Sequence, residues 1–437
     1  MDKTPIPKLL LKMSPPVMLA LLIQSIYNVV DSYFVSIYSQ AGLTAISLIY
    51  PIQLLMTAVA TGTGTGINIL ISRMDGTGET AKQSDIVRNG FLLGIMNGLA
   101  FTVVGLLAMH GYYEISSGQI AVREAGIAYT RIVFIFAIGL FVEANCTKML
   151  QAKGNMVIPM AAQIAGAFIN LVLDPVFIFG KFGLPAMGTA GAAIATVIGQ
   201  WLAMLIVIVG VCQRYAVWQG KFSLKICLRI YMEGLASIVM QSLYTLYIVG
   251  LNLILKQLTE DAVTVLGIYY KIQAFFFIPL MGLQQVILPI ISFNYGAMQP
   301  KRIRDTLKYS ISIACTVMIV GMAVFMLIPD KLIGIFSKEP AVLEIGCHAF
   351  RTICCNFLPA GVTMILVVYF QGVERRKASI FITVLRQVVL LTPLAWLFHY
   401  WGLRYVWLTF PVTEIIAVIS CIILYRKGFV KKCKPAL

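Results

Sequence analysis

Twelve stretches of this chain are each long and apolar enough to cross a bilayer, and they follow one another almost without pause: 14–38, 46–72, 88–110, 125–150, 157–180, 188–212, 230–255, 262–291, 306–328, 344–371, 378–400 and 404–425. A helix rising about 1.5 Å per residue needs roughly 20 apolar residues to cross the hydrocarbon layer. There it must satisfy its own backbone N–H and C=O groups, so runs of this length predict an all-α polytopic membrane protein. The remaining composition agrees. Charged residues make up 12% of the chain, about half the share of a soluble domain, so a water-facing surface cannot be covered. Hydrophobic residues at 59% exclude a disordered chain.

The 34 Lys and Arg outnumber the 18 Asp and Glu, for a net charge of +16. In a soluble protein that balance would suggest a nucleic-acid partner. Here most of the basic residues fall between alternate spans: Lys3 to Lys12, Arg73 to Arg88, Lys148 and Lys153, Arg214 to Arg229, Lys301 to Lys308, Arg375 to Arg386, and Arg426 to Lys434. The positive-inside rule then puts both termini in the cytoplasm and requires an even number of spans. The apolar run after Lys12 lacks a small-residue cleavage site and reads as a retained first helix. The nine cysteines form no CxxC pair and read as small hydrophobes, not as a disulfide or zinc framework. Thr61–Gly66 is glycine-rich but lacks the Gly-Lys-Ser/Thr ending of a phosphate loop, and it lies inside an apolar span. Close helix packing is the better reading. No catalytic constellation and no cofactor motif emerges, so an enzyme is not expected.

The chain repeats itself weakly. Gln24 and Tyr27 recur as Gln241 and Tyr244, Tyr50 and Gln53 as Tyr270 and Gln273, Ser72 and Gly76 as Ser292 and Gly296, Gln151 as Gln371, and Pro175 as Pro393. The offsets stay between 217 and 220 residues. The unit is therefore six helices, giving a first half at 1–212, a cytoplasmic linker at 213–229, and a second half at 230–437 with a basic tail. Because six is even, both copies enter the membrane in the same direction. Transporters built from such parallel repeats place substrate between the halves near the midplane.

Ionisable residues inside spans are functional candidates by default. Asp31 lies 17 residues beyond Ser14, and Asp174 lies 17 beyond Val157, so both sit about 25 Å along helices that start on the same side. Two carboxylates at one depth can share a proton or a sodium ion. Asn170, one turn before Asp174, adds an oxygen, and Pro175 frees a backbone carbonyl. The bland alternatives are a helix-end position for Asp31 and a structural hydrogen bond at the Pro175 kink for Asp174. Glu143 and Asn145 lie mid-span in the fourth helix and could extend a polar cavity. Lys271 and Glu414 have no partner legible in the sequence. The aromatic run Tyr269–Phe277 offers ring faces that attract organic cations, and the 20 Met residues offer adaptable surface.

Several segments together resemble the multidrug and toxic compound extrusion family across nearly the whole chain. They are Pro16 to Asp31 with Gln24 and Tyr27, Gly62 to Asn68 leading to Ser72-Arg73, Gln151 to Asn155, Asn170 to Pro175, Gly191 to Thr196, and Ile290 to Ala297 followed by Lys301-Arg302. The resemblance implies two six-helix bundles forming a V-shaped cleft in a bacterial cytoplasmic membrane. It implies export of cationic or amphipathic drugs in exchange for H⁺ or Na⁺. The coupling-ion ligands it implies are Asp31, Asn170, Asp174 and Thr196, with any sodium held by Asp31, Asn170 and Asp174. Pro15 or Pro16 would form a first-helix bend, and Pro175 another. The substrate-cleft candidates are Gln24, Tyr27, Asn28, Glu143, Asn145, Gln241, Tyr244, Lys271 and Gln273. No obligate protein partner is implied. The family's acids in the seventh and tenth helices have no clear match, since Glu233 falls near the start of the seventh and Glu374 in an inner loop. The alternative is a lipid-linked oligosaccharide flippase of related fold, which would need arginines facing a central cavity.

Overall fold

A computed structural model describes residues 4–79, 82–216 and 219–429. Among the described residues the regular structure is helical, with no strand. The first half of the chain runs through α1 (Ile6–Tyr38), α2 (Gln40–Thr77), α3 (Gln83–Ser116), α4 (Ile120–Ile135), α5 (Ile138–Ala152), α6 (Val157–Phe179) and α7 (Thr189–Cys212). The second half runs through α8 (Leu224–Lys256), α9 (Glu260–Gly296), α10 (Pro300–Leu327), α11 (Pro329–Gly334), α12 (Pro340–Ile353), α13 (Phe357–Gly372), α14 (Arg376–Val384), α15 (Leu391–His399), α16 (Leu403–Val406) and α17 (Thr409–Phe429).

Eleven helices or joined helices among the described residues have the length and apolarity to cross a membrane. The bent pair α4 and α5 makes a twelfth. The expected span 125–150 is thus two helices meeting at 47°. The break falls at Phe136 and Ala137, where the hydrophobic run continues unbroken and hides the bend from a hydropathy reading. Three further spans are composite, one of them Leu403–Lys427, in which α16 leads into α17. A 3₁₀ turn, Cys354–Asn356, joins α12 to α13, and a π-helical stretch, Leu385–Leu390, joins α14 to α15.

The residues pack as two compact units. One is Pro15–Ile238; the other joins the chain up to Ser14 with everything from Val239 onward. The division therefore falls inside α1, at the Pro15–Pro16 pair, and inside α8. Segment 213–229, expected as a linker, belongs to the first unit. Arg88 Nη1 donates to Gly220 O (2.9 Å), Asn89 Nδ2 to Lys221 O (2.7 Å), and Ser223 N to Asn89 Oδ1 (2.9 Å).

Two apolar clusters fill the first unit. One gathers Ile67, Ile71, Val87, Leu93, Met149 and Val207; the other gathers Val35, Ile49, Met56, Tyr113, Phe141 and Ile178. The glycine run works as helix-packing surface. A Cβ placed on Gly66 would collide with Ile230 O, and one on Gly234 with Gly62 O. The backbones of α2 and α8 therefore touch, as small residues in membrane helices permit. Beside this seam Thr65 Oγ1 donates to Ser237 Oγ (3.4 Å), and the guanidinium of Arg73 lies 3.8 Å from the Glu233 carboxylate.

The second unit has an aromatic core in which Phe325 stacks on Phe350 and meets Phe357 and Tyr269 edge-on. Arg302 fastens its start, donating from Nε to Asn294 Oδ1 and from Nη2 to Thr4 O, both at 2.9 Å. Arg386 corrects the sequence reading, which placed it with the inner-loop basic residues. It lies inside a span, in the π-helical stretch, and its Nε donates to the buried Glu414 carboxylate of α17. Glu414, unpaired by sequence, thus has a partner.

Candidate functional site

The site grows from three helices of the first unit. On α1, Gln24, Tyr27 and Asp31 recur every three or four residues and so share one face. On α6, Asn170 and Asp174 are a turn apart, and both are buried. α7 brings Thr196. The crossing of α6 and α7 is set by two glycines. A Cβ on Gly166 would sit 2.7 Å from Gly199 O, and one on Gly199 would sit 2.6 Å from Gly166 O. With the backbones in contact, short polar side chains reach each other. Asn170 Nδ2 donates to Asp174 Oδ1 (3.2 Å) and lies 3.4 Å from Thr196 Oγ1. α6 continues through Pro175, which lacks an N–H, so the carbonyl of Leu171 loses its usual helical partner.

The carboxyl groups of Asp31 and Asp174 lie within hydrogen-bonding reach of each other. Asp31 Oδ1, Asp174 Oδ2 and Asn170 Oδ1 are all buried and have no hydrogen-bond donor. Two carboxylates cannot donate to one another, so facing acceptors of this kind are satisfied by a proton or a cation. Asp31 is not at a helix end. Its α1 helix runs on to Tyr38.

Next to this cluster is a cavity whose empty space is about 580 Å³, open part included. It is lined by Gln24, Tyr27, Glu143, Gln163, Asn170, Thr196 and Gln200, with Leu140, Gly166, Ala167, Gly199 and Ala203 as its apolar wall. Glu143, from α5, is the one ionisable carboxylate in that lining; its Oε1 accepts from Thr147 Oγ1 (2.8 Å). Lys148 turns away and donates to Gln151 Oε1 (3.0 Å). Among the described residues there is no group of three or more His, Cys, Asp and Glu that could hold a metal. The oxygens of Asp31, Asp174, Asn170 and Thr196 are hard ligands of the type that suits an alkali cation or a proton.

Other sequence candidates fall elsewhere. Asn28 is exposed and does not line the cavity. Asn145 is buried and holds α5 to α3, its Nδ2 donating to Gly90 O (2.8 Å). Gln241, Tyr244, Lys271 and Gln273 belong to the second unit. There Tyr244 meets Tyr247 edge-on, and Lys271 is exposed with its ammonium 5.7 Å from the Phe336 ring centre. Pro15 and Pro16 stand inside an uninterrupted α1. Three polar residues near the site were missed by sequence reasoning. Gln163 and Gln200 line the cavity, and Tyr129, held by Gln53 Nε2 (3.2 Å), is close enough to Asp31 to feel its charge. An amide in the middle of an apolar run was the available signal for Gln163 and Gln200.

The MatE family model matches residues 16–176 and 236–397. An FAD transporter of Shewanella oneidensis is 25% identical over 97% of this chain and 95% of its own length. The multidrug export protein MepA of Staphylococcus aureus is 23% identical over 97% and 94%. Among solved structures, a MOP superfamily transporter from Pyrococcus furiosus aligns with a TM-score of 0.91 at 22% identity, covering 98% of both chains. An outward-facing MATE transporter aligns with the same TM-score at 23% identity, over 98% of this chain and 97% of its own. With its family model matched in both halves and its fold shared with MATE transporters, this chain belongs to the MatE family and is a multi-pass membrane transporter, not an enzyme.

Proposed function

We propose that this transporter is a secondary active exporter of cationic or amphipathic drugs, driven by the entry of H⁺ or Na⁺ at Asp31 and Asp174. The observation that carries the reading is the set of three donorless buried oxygens on Asp31, Asp174 and Asn170. Such a set is costly to leave bare in a membrane and is relieved by binding a small cation. Thr196 supplies a further oxygen beside Asn170. Ion binding that favours one facing state over the other shifts the alternation, and drug binding is linked to it reciprocally. The S. aureus relative named as a multidrug exporter supports the drug class. Gln24, Tyr27 and Glu143 on the cavity wall support a cation, since a carboxylate and a ring face both attract one. Both termini facing the cytoplasm of a bacterial cell would follow from the distribution of Lys and Arg.

A second reading takes its support from the S. oneidensis relative named as an FAD transporter, which aligns with 97% of this chain. A dinucleotide needs basic groups at its phosphates, whereas the cavity beside Asp31 offers Glu143 and amides. Purified protein in liposomes separates the readings. Imposed proton or sodium gradients should drive uptake of an organic cation such as ethidium. Gradient-driven movement of FAD with no movement of ethidium would favour the second.

A further inference from the structure

The second unit buries an ion pair that the transport cycle proposed above does not use. Arg386, in the π-helical stretch between α14 and α15, donates from Nε to Glu414 of α17. The side chains are 24% and 6% exposed. Both residues lie well inside spans, where an unpaired charge is costly. Isolated π-helical turns tend to mark functional positions.

The internal repeat gives the pair a meaning. Arg386 lies on the fifth span of its half and Glu414 on the sixth. Asn170 and Thr196 occupy the fifth and sixth spans of the other half. With Pro175 and Pro393 as the anchor, Glu414 stands 218 residues after Thr196 and Arg386 stands 216 after Asn170. Glu414 therefore falls on the match of Thr196, while Arg386 lies two residues before Val388, the match of Asn170, and joins that place through its bond to Glu414. At one place in the repeat, the first half leaves acceptor oxygens open and the second half closes a carboxylate with a guanidinium. Glu414 Oε2 keeps no hydrogen-bond donor, and neither do the neighbouring Gln387 Oε1 and Thr413 Oγ1. The other titratable groups facing the pair are Tyr247 of α8, Tyr269 and Tyr270 of α9, and Cys421 of α17. All four are neutral hydrogen-bonding or thiol groups in their ordinary state, so Arg386 is the cation that balances Glu414.

We propose that Arg386 is a built-in, non-exchanging cation at a second ion site. Its guanidinium stands where the other half takes up an exchangeable monovalent cation or proton, and ion coupling is thereby confined to Asp31 and Asp174. An arginine suits the role because its guanidinium stays protonated and binds a carboxylate in a fixed geometry. This inference rests on the coupling role proposed for Asp31 and Asp174. Removing the guanidinium should open a latent site at Glu414 for Na⁺ or H⁺.

The test is the melting temperature of purified full-length protein across Na⁺ concentrations and pH. The wild type should melt several degrees higher with Na⁺ or with acid, and the double variant Asp31→Asn/Asp174→Asn should lose that response. A double variant that responds like the wild type would defeat the coupling reading itself, whatever Arg386 does. Adding Arg386→Gln to the double variant should restore a Na⁺- or acid-dependent rise, and adding Glu414→Gln as well should abolish it again. A folded triple variant with no response would overturn the fixed-cation proposal while leaving the first reading intact. Should the triple variant fail to fold, Arg386→Gln/Glu414→Gln in the otherwise native chain decides. It removes both charges together, and its ratio of ions moved per drug in liposomes should equal that of the wild type. A reduced ratio would mean that Glu414 exchanges ions in the native protein, and would overturn the proposal.

Discussion

At the residue scale, the chemistry concentrates in Asp31, Asp174 and Asn170, whose oxygens lie together without donors. With the two aspartates proposed to serve one ion, they should behave as a unit. Asp31→Asn and Asp174→Asn are each expected to lower ion-driven efflux about tenfold or more in cells loaded with a fluorescent drug. The double variant should be no worse than either single one, as coupled groups are not additive. Additive losses would mean two independent sites. The pairing of Asp31 with Asp174 was legible because equal distance along two spans entering from one side is arithmetic on the sequence. Asn170 was legible from its one-turn spacing. Thr196 came only from family resemblance, because a threonine in an apolar run has no distinguishing pattern. Tyr129 was invisible for a related reason: only the packing of α4 brings it into the electrostatic reach of Asp31.

At the element scale, backbone contact carries the architecture. The seam of α2 against α8 depends on Gly62, Gly66 and Gly234. Gly66→Leu should force the two helices apart and cost about 2 kcal/mol or more, measured as a lower melting temperature and a smaller folded yield. Wild-type melting would contradict the packing role. Near the same seam, Glu233→Ala leaves Arg73 without its 3.8 Å carboxylate partner and should destabilise the fold by about 3 kcal/mol. Replacing both together by Met and Leu should recover much of that loss. Equal loss in single and double variants would contradict this, and would mean that the loss is that of the pair's own attraction and not of a stranded charge. The existence and order of the spans were plain from hydropathy, but their breaks were not. The bend at Phe136 and Ala137 and the π-helical stretch at Leu385–Leu390 lie inside smooth apolar runs, where length and composition say nothing about hydrogen-bond register. Arg386 was misplaced for that reason: four basic residues close together looked like one loop.

At the scale of the whole molecule, two similar halves have diverged in how each handles charge. One keeps open acceptors at Asp31, Asp174 and Asn170, and the other closes Glu414 with Arg386. The repeat offset was readable from the sequence, yet the compact units divide within α1 and α8, not in segment 213–229. Asn89 explains why, since it accepts from Ser223 N and donates to Lys221 O, drawing that segment onto α3. Asn89→Ala should make Arg214, Lys221 and Lys225 cut faster by trypsin in solubilised protein. An unchanged cleavage rate would mean that other contacts hold the segment. The central claim, that one ion site at Asp31 and Asp174 drives export, is tested most directly by transport in liposomes with proton and sodium gradients imposed separately. Wild-type protein should move an organic cation under at least one gradient, and Asp31→Asn/Asp174→Asn should move none while keeping its fold. Gradient-driven transport by that variant at the wild-type rate would contradict the account.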